Sequence, residues 1–224
     1  MRKIIFLIIF FVLSSANAAE YRQDEITIIY ENETDLMIAL DSIDYVKDFF
    51  NKIGYECSKP IKIEFKNGGV EHPYSKTKKC YAYILFESRH IFMTAFDTDV
   101  PSFVFKQPVN QDLEMHMSCM VHELAHFFLD CQGKVDSYAL HEYVAYIVQF
   151  SFISNETKNK ILSENTHLEN GFEKRNEITE LAYEADAQKF GVNSYLHYLH
   201  DKGRLFKRII ELKENAIRSI NTIT

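Results

Sequence analysis

The run Val121-His122-Glu123-Leu124-Ala125-His126 sets two histidines four residues apart, with a glutamate beside the first. On a helix, residues four apart stand on one face about one turn from each other. Both imidazoles can then reach a single metal ion from the same side. Glu123 is placed to lean over that ion and hold a water. Zinc takes neutral imidazole nitrogens at about 2.0–2.1 Å, and a catalytic zinc keeps one position open. Bound water then ionises near neutral pH, and a carboxylate next to it can take the proton.

With nine histidines in 224 residues, a chance match to this spacing has to be weighed. The surroundings argue against chance. Met115, Met117, Met120, Val121, Leu124, Ala125, Phe127, Phe128 and Leu129 make a buried helix, in which unpaired polar groups are costly. On these residues the chain resembles the HExxH zinc metallopeptidases, the zincins. The metzincin pattern is excluded, because it requires Gly where Leu129 stands and His where Gln132 stands. The gluzincin type remains, in which a glutamate on a following helix is the third zinc ligand. The resemblance covers His122 to about Gln149 and implies a zincin-like fold, a Zn2+ cofactor and a peptide or protein substrate.

Candidates for the third ligand are Asp130, Asp136, His141, Glu142, Glu169 and Glu173. The helix expected over Tyr138 to Ile153 is apolar almost all round and carries one acid, Glu142. A lone buried carboxylate costs several kcal/mol unless a cation meets it. Neither this helix nor the metal helix offers Lys or Arg. Glu142 is therefore the expected ligand, and Glu-x-x-Ala resembles what small gluzincins place there. His141, about 100° around the helix, is the alternative.

Other residues are weighed against the same geometry. Cys119 lies one turn before His122 but about 10 Å along the axis from His126, so it reads as core. His116 is about 240° around the helix from His122 and reads as a surface or loosely satisfied histidine. Tyr183, Tyr195, His197 and Tyr198 are candidate donors to a developing oxyanion, by residue type and position only. Larger gluzincins often carry an Asp four residues after the ligand glutamate, hydrogen-bonded to a zinc histidine; this chain has Tyr146. Asp130, Asp136 or a backbone carbonyl would then have to orient the histidines.

The elements that position these residues follow from pattern and punctuation. Arg2, Lys3, the apolar run Ile4 to Leu13 and Ala16-Asn17-Ala18 read as a signal peptide over residues 1–18. Ten apolar residues are too few to span a bilayer. Cleavage near Ala18 predicts an exported protein, periplasmic or secreted, with residues 19–224 as a single domain. Losing Arg2 and Lys3 takes the net charge from −7 to −9. An acidic chain without a Lys/Arg cluster argues against nucleic acid and anionic membrane surfaces as partners. No later segment predicts a membrane span. Export permits disulfides among Cys57, Cys80, Cys119 and Cys131. Cys119 and Cys131 would be about 18 Å apart on one helix, leaving Cys57 to Cys80 as the expected local bridge.

Glu25 to Glu31 reads as a strand, and Asn32 or Thr34 caps a helix that Gly54 stops. Strands follow at Ile61 to Phe65, Cys80 to Phe86 and His90 to Phe96, with a polar surface loop up to Lys79. By resemblance, His90 to Phe96 supplies the edge against which substrate backbone pairs. After Pro108 the chain reads helical: Gln111 to Leu129, Tyr138 to Ile153, a short helix from Asn155, Glu177 to Phe190 broken by Gly191, then Ser194 to His200 and Arg204 to Ile217. The expected class is α+β, with a small antiparallel or mixed N-terminal sheet and one helix, then a mostly helical C-terminal half.

The chemistry expected is peptide hydrolysis, with His122, His126 and Glu142 on zinc and Glu123 as general base. The rival is a non-catalytic zinc-binding exported protein or interaction module. It would close the site with a fourth ligand from His141 or Cys131.

Overall fold

The computed structural model describes residues 18–72, 75–96, 98, 112–131, 137–168 and 171–210. The expected signal peptide, Gln132, Asp136, Glu169 and residues 211–217 of the last expected helix lie almost wholly outside them. The architecture is α+β: a five-stranded mixed sheet, then helices.

Strands β1 (Ala19–Gln23) and β2 (Ile26–Tyr30) form an antiparallel pair. Helix α1 (Glu33–Asn51) then crosses to β3 (Ile61–Lys66), which lies parallel to β2. The Asn32 side chain accepts from the Asp35 N–H and so caps α1. Ile38, Ala39, Ile43, Val46 and Phe50 form its buried stripe. Gly54, at φ +77°, ends the helix in the left-handed region that side chains avoid. In β3 the apolar residues Ile61, Ile63 and Phe65 are buried, and Lys62, Glu64 and Lys66 alternate with them.

The stretch expected as a surface loop is instead a hairpin, β4 (Val70–His72) with β5 (Ser75–Cys80). Its strand Ser-Lys-Thr-Lys-Lys-Cys has no apolar alternation, so only the backbone pairing defines it. Strands β6 (Ala82–Leu85) and β7 (His90–Thr94) complete the sheet in the order β1-β2-β3-β7-β6. Strand β7 is thus internal, between β3 and β6, which corrects its expected place at an edge. The edge beside the metal helix is β6.

Helix α2 (Leu113–Cys131) lies between α1, the β6–β7 side of the sheet and α3 (Tyr138–Phe152). Three contacts pin its C-terminal end to the last turn of α1 and the loop after it. Phe50 stacks on Phe128 with centroids 5.4 Å apart, the Tyr55 hydroxyl donates to the Leu129 carbonyl at 3.1 Å, and Cys57 is bridged to Cys131 with Cα atoms 5.7 Å apart. The bridge is therefore not Cys57 to Cys80. Strand β3 carries the chain about 20 Å away from Cys57 before the hairpin begins. Cys80 faces Val70 across that hairpin, and its thiol donates to the Val70 carbonyl.

Helix α4 (Asn155–Ser163) starts at a Ser154 cap that the Glu114 carboxylate also holds. The helix expected over Glu177 to Phe190 is divided into α5 (Glu180–Ala185) and α6 (Ala187–His200). The break falls at Asp186, whose side chain caps α6, and not at Gly191. Gly191 is inside α6 because a Cβ there would stand 2.5 Å from Tyr146 Cδ1. Residues 204–210 are helical. No helix among the described residues is long and apolar enough to cross a membrane.

Candidate metal centre

Helix α2 turns His122 and His126 toward α3, and α3 returns Glu142. His122 Nε2 and His126 Nε2 are 3.1 Å apart. Glu142 Oε2 lies 3.3 Å from His122 Nε2, and Oε1 lies 3.4 Å from His126 Nε2. A tetrahedral ion with bonds of about 2.0–2.1 Å sets its ligand atoms about 3.3 Å apart. The three side chains thus have both the spacing and the donor types to hold a metal ion. Glu142 is only 3 % exposed, and its recorded ion pairs, among the described residues, are with these two histidines.

The charges are strongly coupled. Burial alone would raise the Glu142 carboxyl, but the facing His126 and His122 outweigh it and hold the group well below the usual carboxylate range. Burial would lower His122, yet the bond and charge of Glu142 raise it. Glu123 is raised by burial and by Glu142, against the pull of His122 and His126.

Around the ligands, Gln149 Oε1 is 3.2 Å from His122 Nδ1, and Gln149 Nε2 donates to Ser118 Oγ at 3.1 Å. The Tyr146 ring meets His122 nearly edge-on at 4.7 Å, backed by Gly191. Phe86, just past β6, sets its ring against His126 and His141. Tyr138, 47 % exposed at the rim, packs on Tyr183 at 5.5 Å. Burial foremost, then the charge of Glu142, raises both phenols.

His122, His126 and Glu142 come together as expected, and Glu123 is close enough to feel the charge of all three. His141 does not join them: its ring is 5.9 Å from that of His126, behind Phe86. Asp130 stands near Tyr55 at the far end of α2, and Glu173 bonds through its backbone to Glu177. Cys119 is a buried free thiol, pushed up by burial and by Glu123, as a core residue would be. Of the four oxyanion candidates only Tyr183 neighbours the site. Tyr195 stacks on Phe150, His197 Nδ1 is 2.8 Å from the Tyr143 hydroxyl, and Tyr198 packs on Phe206.

His116 is a correction. It is buried, with Nδ1 bonded to the Tyr81 hydroxyl, so it is not on the surface, while its Nε2 has no hydrogen-bond partner among the described residues. Ser118, Gln149, Tyr138 and Phe86 were not foreseen. The signal for two of them was present: Ser118 precedes His122 by four residues, and Gln149 follows Glu142 by seven, both on-face helical spacings.

A family profile described as a family of unknown function, DUF6639, matches residues 26–213. The chain belongs to that family. No curated protein and no solved structure is significantly similar to the chain.

Proposed function

We propose that this member of a family without assigned function is an exported zinc metallopeptidase of the gluzincin type. The observation that carries the reading is the 3.1–3.4 Å triangle of His122, His126 and Glu142, with Glu123 in the same turn of α2. Two imidazoles and one carboxylate are a donor set that suits zinc.

The bound ion would supply a water of lowered pKa and polarise the substrate carbonyl. His122, His126 and Glu142 hold it. Glu123 accepts a proton from the attacking water and returns it to the departing amine nitrogen. Strand β6 offers an edge beside α2 along which an extended peptide can pair. The Tyr138 and Tyr183 hydroxyls, both close enough to Glu142 to feel its charge, are candidate donors to the negative charge that would develop. Export agrees with the Cys57–Cys131 bridge, a bond that persists in oxidising compartments.

The rival, a closed structural zinc site, has less support. Cys131 is spent on the disulfide, and His141 stands outside the cluster. The test is zinc content of the purified chain and cleavage of a mixed peptide library, before and after chelation and after zinc is restored. One zinc per chain with chelator-sensitive cleavage is expected. Metal-free protein, or cleavage indifferent to chelation, would overturn the reading.

A further inference from the structure

Behind His122 a line of hydrogen bonds runs back into α2, and each of its members has a fixed direction. The Ser118 hydroxyl has a single proton, which it donates to the Met115 carbonyl at 2.8 Å. Its lone pairs are then left to accept, and Gln149 Nε2 donates to them at 3.1 Å. An amide that turns its nitrogen to Ser118 turns its oxygen to His122, where Oε1 lies 3.2 Å from Nδ1. That oxygen has no proton to give. The contact is a hydrogen bond only if His122 carries a proton on Nδ1. Nε2, which faces Glu142 and His126, is then the nitrogen left to give its lone pair to a metal or, without one, to share a proton with Glu142.

We infer that Gln149, oriented by Ser118, is the positioning residue that holds His122 in the Nδ1–H form and so presents Nε2 to the metal. Ser118 is fully buried and Gln149 is 2 % exposed, so water is not available to replace either partner. The arrangement is specific to His122. His126 Nδ1 has no hydrogen-bond partner among the described residues. The relay is also neutral. A carboxylate in place of the amide would pull on the Nδ1 proton and make the imidazole a more basic ligand. An amide turned the other way would present N–H groups to Nδ1 and favour a proton on Nε2, where a metal could not bind.

The metal part of this inference rests on the proposed zinc site, whereas the tautomer part does not. Two measurements therefore separate them. Imidazole nitrogen-15 shifts of the metal-free chain at pH 9 should show His122 with Nδ1 protonated, and Gln149→Leu should move it toward a mixture or toward Nε2–H. Competition for zinc against a chromophoric chelator should show Gln149→Leu weakened about 10- to 100-fold. Ser118→Ala should be weakened severalfold, and Gln149→Glu should bind at least as tightly as the unaltered chain. If Gln149→Leu does not fold, the contrast between Ser118→Ala and Gln149→Glu carries the same test. A His122 with no proton on Nδ1 in the unaltered chain would overturn the inference, as would zinc affinity within twofold of the unaltered value in both Gln149→Leu and Ser118→Ala. A chain that binds no zinc but keeps Nδ1–H would sink the metal reading and leave the orienting role of Gln149 standing.

Discussion

His126 and Glu142 belong to different helices, and yet Nε2 of one lies 3.4 Å from Oε1 of the other, with both side chains almost fully buried. A buried carboxylate in an apolar helix is tolerated only with compensation, and the two histidines supply it. Glu142→Ala should therefore weaken zinc binding roughly a hundredfold or more, while His141→Ala should leave it near normal. Isothermal or chelator titration of both variants decides the matter. Loss in the histidine variant with normal binding in the glutamate variant would reverse the assignment.

Glu123→Gln should keep both zinc and fold, since Glu123 is not among the three clustered ligands. A neutral amide cannot accept the water's proton, so turnover should fall by about 10²–10⁴-fold. The check is kcat on a cleaved peptide beside metal content by mass spectrometry. Undiminished turnover would show that another group is the base.

The three clustered residues were legible because their spacing is geometric. His122 and His126 at i, i+4 must share a face, and Glu142 was marked by being the only acid in an apolar helix. Strands β2, β3 and β7 and helices α1 to α4 were legible from apolar period and from a cap such as Asn32. What stayed hidden depends on distance in space. Cys131 meets Cys57 only after the chain has built a sheet, and β7 became internal only because β6 folded back outside it. Gly191 reads as a breaker in sequence, but its missing Cβ makes room for Tyr146. Burial of His116 likewise depends on Tyr81, a partner from another element.

The Cys57–Cys131 bridge spans 74 positions, and loop-closure entropy of that length is worth about 4 kcal/mol. Cys57→Ser should lower unfolding stability by an amount of that order in urea titration, whereas Cys80→Ser should change it by no more than about 1 kcal/mol. Peptide mapping without reductant should recover the 57–131 pair and leave Cys80 and Cys119 open to alkylation once unfolded. A recovered 57–80 peptide would contradict the fold around α2.

Burial pushes His116 down to about 4, from an ordinary value of about 6.5. The folded state thus favours neutral imidazole. Its contribution is complete above about pH 6.5, and it is lost progressively as pH falls toward 4, by which point about 3 kcal/mol has gone. Unfolding free energies of the unaltered chain and His116→Gln between pH 7 and 4 should diverge by that amount in slope. Parallel curves would mean that His116 is not held neutral.

The bond between Cys57 and Cys131 also makes a covalent ring. Every residue from β3 through α2 lies inside it, including His122, Glu123 and His126, while Glu142 lies outside. A single nick between residues 58 and 130 would leave two pieces that part only on reduction. The triangle that gathers the ligands is therefore also a clasp between that ring and the tail of the chain, so a captured ion would knit together two segments that the backbone joins only through the connection between α2 and α3.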